Sequence, residues 1–132
     1  MMTHKREIMI YYNPEANNHK QIVGQAKGLV PHVKAYSYEQ SKPTTLMWRH
    51  TLDALGVHPK QLMNKALPYY QEHLRGREFD DEGWLNILVH NPELVHSPIA
   101  MRHREAVICD RPSQIVRLAD KSVAAHYSDL ED

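Results

Sequence analysis

One short run of residues constrains the fold more than anything else in the chain. Residues 7–13 read Glu-Ile-Met-Ile-Tyr-Tyr-Asn, apolar and β-prone almost throughout, and Asn13-Pro14 stops them abruptly. The pattern is that of a buried strand followed by a breaker. Asn17 or Asn18 can then cap a helix whose apolar positions Ile22, Val23, Ala26 and Leu29/Val30 lie on one face. Pro31 ends that helix. Val33, Ala35 and Ser37 alternate with Lys34, Tyr36 and Tyr38, the period-two signature of a second strand. The chain therefore begins β-α-β.

The middle is helical in pattern. Thr44/Thr45 open a segment that places Trp48, Leu52 and Leu55 on one face and stops at Gly56. Pro59 suits the first turn of a short helix carrying Leu62, Met63, Ala66 and Leu67. Tyr69-Tyr70 and Leu74 suggest a further turn or two. Asp80-Asp81-Glu82 set negative charge at the start of a helix bearing Trp84, Leu85, Ile87 and Leu88, which Asn91-Pro92 closes. Both tryptophans fall on apolar faces and are read as core. The last third returns to strands, with short runs from Ile99 to Arg102 and from Glu105 to Cys109 across a tight turn at His103-Arg104. Arg111-Pro112 then opens a helix with Ile115, Val116, Leu118 and Ala119 on one face.

Composition narrows what such a chain can do. With 132 residues it should form one core, here placed at 1–121 with the helical insertion at about 44–93. Residues 122–132, ending Ser128-Asp-Leu-Glu-Asp132, read as a partly disordered, solvated extension. Sixteen basic and sixteen acidic side chains cancel, so the broad attraction that draws basic proteins to nucleic acid or anionic membranes is absent. Neither is an expected partner. A single cysteine, Cys109, excludes an internal disulfide, a CxxC pair and a cysteine-based zinc site. The polar start and the short apolar run after it resemble neither a signal peptide nor a membrane span, and a cytoplasmic location is expected.

Several motifs carry a resemblance. The stretch Ile10-Tyr11-Tyr12-Asn13-Pro14 before a helix, Pro43-Thr44 entering a helix that ends Leu55-Gly56, and Asn91-Pro92-x-Leu94-x-x-x-Pro98-Ile99 resemble the glutaredoxin-coupled arsenate reductase (ArsC) family, whose other branch is the Spx transcription regulators. Ala106-Val107-Ile108 leading to Arg111-Pro112 and Val116 continues the likeness, which runs from about Ile8 to Leu118. It implies an α/β, thioredoxin-like fold: a four-stranded mixed sheet with an all-helical insertion between the second and third strands. It also implies that Ser97-Pro98 is similar to the cis-proline of such folds, which presents backbone groups to a bound peptide or thiol.

The family's chemistry resides in an Asn-Pro-x-Cys-x-x-x-basic pattern, where a helix N-terminus lowers a thiol's pKa and binds an oxyanion. Here the pattern reads Asn13-Pro14-Glu15-Ala16-Asn17-Asn18-His19-Lys20, so the nucleophile position is Ala16. Of the arginines that the resemblance places around a tetrahedral dianion, one is replaced by Asn64 and one by Ser97, and Arg111 remains. Each lost contact of this type is worth about 1.5–3 kcal/mol. The implied binding site comprises Tyr12, Asn13, Asn17, Asn18, His19, Lys20, Asn64, Ser97, Pro98 and Arg111, with no catalytic residue and no cofactor.

The expectation is an arsenate reductase-like protein without its redox nucleophile, serving as a binding or regulatory module. The Spx branch makes RNA polymerase a candidate partner by family analogy. The alternative is an enzyme of altered chemistry that binds glutathione or a small anion beside Pro98 and uses an external thiol. A subunit that stabilises a homodimer or larger complex is a third reading. Ten histidines invite a metal, but no two lie three or four residues apart and HExxH is absent, so no metal is expected. No G-x-S-x-G elbow or Gly-rich phosphate loop occurs. Cys109, between Val107-Ile108 and a helix start, reads as a small buried hydrophobe.

Overall fold

A computed structural model describes residues 7–118. Expectations that fall on residues 119–132, namely Ala119 and the C-terminal extension, lie outside the described residues. The elements are β1 (Ile8–Tyr12), α1 (Asn17–Leu29), β2 (Val33–Ser37), α2 (Thr45–Leu55), α3 (Pro59–Leu62), a π-helical turn (Tyr70–Leu74), α4 (Asp81–His90), a 3-10 turn (Pro92–Leu94), β3 (Ile99–Arg102), β4 (Glu105–Ile108) and a 3-10 turn (Pro112–Ile115). Four strands form one mixed sheet in the order β2-β1-β3-β4. β1 pairs parallel with β2 and antiparallel with β3, and β3 pairs antiparallel with β4. This is the thioredoxin-like α/β architecture, with every helix of the insertion lying between β2 and β3.

Strand alternation explains the layering. Successive side chains of β1 leave the sheet on opposite faces. Met9 and Tyr11, with Ile99 and Met101 of β3, meet Trp48, Leu52, Trp84, Leu85 and Leu88 of α2 and α4. Ile8 and Ile10, with Ala100, meet Ile22, Val23 and Ala26 of α1 and Ile115 and Leu118 after β4. Both faces of the central strands are therefore dry, which is why β1 reads as a continuous apolar run. Each fully buried Ile or Leu contributes about 1.5–3 kcal/mol. Trp48 and Trp84 are core residues, as expected.

The helix ends follow ordinary capping chemistry. The Thr44 hydroxyl accepts from the Met47 N–H, and the Asp80 carboxylate accepts from the Gly83 N–H. Gly56 closes α2 at φ +68°, and its N–H donates to the Leu52 carbonyl. One expectation needs correction: the third helix does not reach Met63, Ala66 and Leu67. It ends at Leu62 because Met63 turns extended and bridges Val95 across the insertion. The His96 N–H donates to the Leu62 carbonyl and the Asn64 N–H to the Leu94 carbonyl. Two non-local bonds outweigh the local helical preference. Among the described residues, no helix is long and apolar enough to cross a membrane.

The two kinds of glycine in these helices should behave oppositely. Space is open around a Cβ at both Gly24, inside α1, and Gly56, so backbone conformation alone decides. Gly24→Ala should stabilise by about 0.5–1 kcal/mol through helix propensity. Gly56→Ala should destabilise by about 1–2 kcal/mol through left-handed strain. Urea denaturation of the two variants checks the signs.

Candidate functional site

The candidate site lies where the C-terminal end of β1 meets the N-terminus of α1. Ala16 is the N-cap of α1, extended at φ −95° and ψ 118°, and contributes no side-chain hydrogen bond. The turn before it is held by Asn13, whose side-chain Oδ1 accepts from the Glu15 N–H at 3.0 Å and whose carbonyl accepts from the Ala16 N–H. This Asx turn is what asparagine before proline favours.

His19 holds the other side of the turn. It sits three residues into the helix, is 2% exposed, and its Nδ1 accepts from the Asn13 N–H at 3.0 Å. The backbone carbonyl of His96 lies close to the ring. Since Nδ1 accepts, the proton is on Nε2, and the ring is neutral in this arrangement. Burial pushes the imidazole below its ordinary value; the His96 carbonyl opposes this and the nearby His96 charge adds to it.

The polar network continues beyond His96. The His96 Nδ1 lies 2.7 Å from the Ser97 hydroxyl, which donates to Asp110 Oδ1 at 3.2 Å. With one hydroxyl proton directed at Asp110, the His96 Nδ1–H must donate to Ser97. One bond thus joins Asn13 to His19, and beside it a chain of bonds runs from His96 through Ser97 to Asp110, the residue before Arg111. The Asp110 N–H in turn donates to Gln114 Oε1 at 2.7 Å. Serine, histidine and aspartate meet here in the wrong order for a hydrolase. The carboxylate contacts the serine and not the imidazole, so it cannot orient a base, and Ser97 is 7% exposed.

The structure brings Asn13 and His19 together, ties Ser97 to Asp110, and fixes Asn64 by its backbone bond to Leu94. Tyr12 is half-buried, and its carbonyl accepts from the Tyr38 N–H. Asn17, Asn18, Lys20 and Arg111 are exposed. Pro98 is buried and its peptide bond is trans, unlike the cis-proline that it resembles in sequence. Its carbonyl accepts from the Cys109 N–H at 2.8 Å, so that group is already engaged by the chain. The sequence reasoning missed His96 and Asp110. Counting back from the hairpin turn would have found the second, because the β3–β4 register continues past Ile99↔Ile108 to set Ser97 opposite Asp110.

Cys109 is fully buried with Ile8, Ile10 and Ala100. Burial is the main cause that pushes its thiol up to about 11, and the Asp110 charge adds to this. No group of three or more histidine, cysteine, aspartate or glutamate side chains able to hold a metal occurs among the described residues.

The sheet order, the helical insertion and the β1–α1 junction together define the thioredoxin-like architecture of arsenate reductase-like proteins. Solved structures with this fold include an arsenate reductase from Vibrio cholerae, at 18% identity and a TM-score of 0.74 over 85% of this chain and 97% of the other. A protein from Yersinia pestis assigned provisionally as an arsenate reductase is 22% identical, with a TM-score of 0.72 over 84% and 99% of the two chains. An arsenate reductase (ArsC) related protein from Brucella melitensis is 16% identical, with a TM-score of 0.65 over 84% and 92%. No protein-family model matches the sequence, and no curated protein matches it.

The depressed imidazole makes stability depend on pH. The unfolded chain binds a proton at His19 near the ordinary value of 6.5, whereas the folded chain does so only at lower pH. The His19 contribution is therefore complete above about pH 6.5 and is lost as pH falls toward the folded value. Lowering pH from about 7.5 to about 5.5 should reduce the unfolding free energy, with a local slope of at most about 1.4 kcal/mol per unit from this one proton. His19→Gln should lose that component of the slope, which urea titrations at several pH values would measure.

Proposed function

We propose that this arsenate reductase-like protein carries out no thiol redox chemistry and works as a binding or regulatory module. The observation that carries the reading is the disposition of sulfur. The N-cap position of α1 is Ala16, and the chain's one cysteine is sealed in the core with its thiol raised to about 11. At neutral pH roughly one such thiol in ten thousand is ionised. An oxyanion would have no nucleophile to meet.

The surroundings support recognition of a protein more than capture of a small anion. Ser97 is tied to Asp110, and Asp110 sets a carboxylate beside Arg111. Glu15 adds another exposed negative charge next to the helix N-terminus. The exposed rim of Glu15, Asn17, Asn18 and Lys20 offers donors and acceptors to a polar protein surface. In this proposal the Spx resemblance points to RNA polymerase as the candidate partner.

Arsenate reduction coupled to glutathione and glutaredoxin tests the reading. The wild-type protein should give no turnover above a buffer control. Sustained turnover by wild type, abolished by Cys109→Ala, would overturn it, because a buried and protonated thiol would then be the nucleophile after all.

A further inference from the structure

β4 is an edge strand, and among the described residues no strand pairs with its outer side. The hairpin register identifies which backbone groups face outward. Arg102 and Glu105 flank the two-residue turn, and the Cys109 N–H donates to the Pro98 carbonyl. Pairs that exchange hydrogen bonds alternate along an antiparallel ladder. Glu105, Val107 and Cys109 thus turn their backbone groups inward to β3. Ala106 and Ile108 turn theirs outward.

Beside this edge runs a groove of about 510 Å³, walled by Ala54 and Leu55 of α2 on one side and by Gln114 and Leu118 on the other. Its charged lining consists of Arg104 and Arg117 with Asp110 and Glu105, the last already paired with Arg102 at 3.0 Å. A surface that carries both signs of charge can meet a copy of itself, since a two-fold axis brings each patch onto the same patch of the partner.

We propose that two copies of this chain pair through β4 in antiparallel register, with Ala106 of one opposite the partner's Ile108 and a two-fold axis through Val107. This register satisfies the outward backbone groups of both residues. It also sets Arg104 of each copy opposite the partner's Asp110, so the same alignment that completes the backbone ladder pairs opposite charges twice. Shifting the strands by one residue would set inward-facing groups against outward-facing ones. The pairing extends each four-stranded sheet into a continuous sheet of eight and covers an edge that is unpaired among the described residues. It brings a guanidinium to Asp110, the acceptor of the Ser97 hydroxyl, and so joins the dimer interface to the bonded chain from His96.

Sedimentation of the full chain at high micromolar concentration tests the proposal. Wild type should sediment at twice its 15.4 kDa. Ala106→Pro removes an N–H that β3 does not use, so it should yield a monomer with a near-native melting temperature. Arg104→Asp and Asp110→Arg should each weaken the dimer at least tenfold, and combining them should restore it. A monomeric wild type would overturn the proposal, as would a dimer that survives both Ala106→Pro and the single charge reversals. If Ala106→Pro lowers the melting temperature sharply, the charge-reversal series decides instead, since recovery in the double variant arises only from the proposed register.

Discussion

The hydrogen bond from the Asn13 N–H to the buried Nδ1 of His19 is the contact on which the site depends. A buried backbone donor left unpaired costs about 1–3 kcal/mol. The turn that begins α1 can therefore tighten against the sheet only if something accepts that proton. Ala16, at the N-cap, has no atom to offer. The imidazole accepts from Asn13 through one nitrogen, and the His96 carbonyl lies close to the ring. The ring ties the end of β1 to the segment preceding β3 and leaves its own charge outside the fold.

That tie explains why the insertion and the sheet meet as they do. The 94–96 segment receives His19 on one side and the 62–64 segment on the other, through the Met63–Val95 bridge and its two flanking hydrogen bonds. Below it, the sheet supplies two dry faces. The face carrying Tyr11 stacks through Tyr38 toward Trp48, with ring centroids 6.5 Å and 6.1 Å apart. The opposite face encloses Cys109. The thiol is accordingly a packing atom of the sheet, and the polar chemistry concentrates at the junction of β1, α1 and the start of β3.

Much of the fold was legible from local rules. The start of β3 and the turn between β3 and β4 follow from a proline and a two-residue break in the sequence, whereas the strand read to Cys109 ends one residue earlier, at Ile108. β1 was equally plain, because burial on both faces demands an unbroken apolar run. The end of α3 was not legible, since Met63 is extended only through its pairing with Val95, thirty-two residues away. The same holds for the site. His19 could be marked by its position after Asn13-Pro14, but its role as an acceptor arises from burial against the His96 carbonyl. Asp110 reaches Ser97 through hairpin register, which a residue-by-residue comparison with arsenate reductases does not display.

The tautomer of His19 is the most direct measure of the account, and imidazole 15N chemical shifts report it at neutral pH. The structure requires a neutral ring with its proton on Nε2 and an acceptor at Nδ1, together with a downfield Asn13 amide proton. A ring protonated on Nδ1, or an imidazolium at neutral pH, would mean that Asn13 has no acceptor there and that the turn is held by something else.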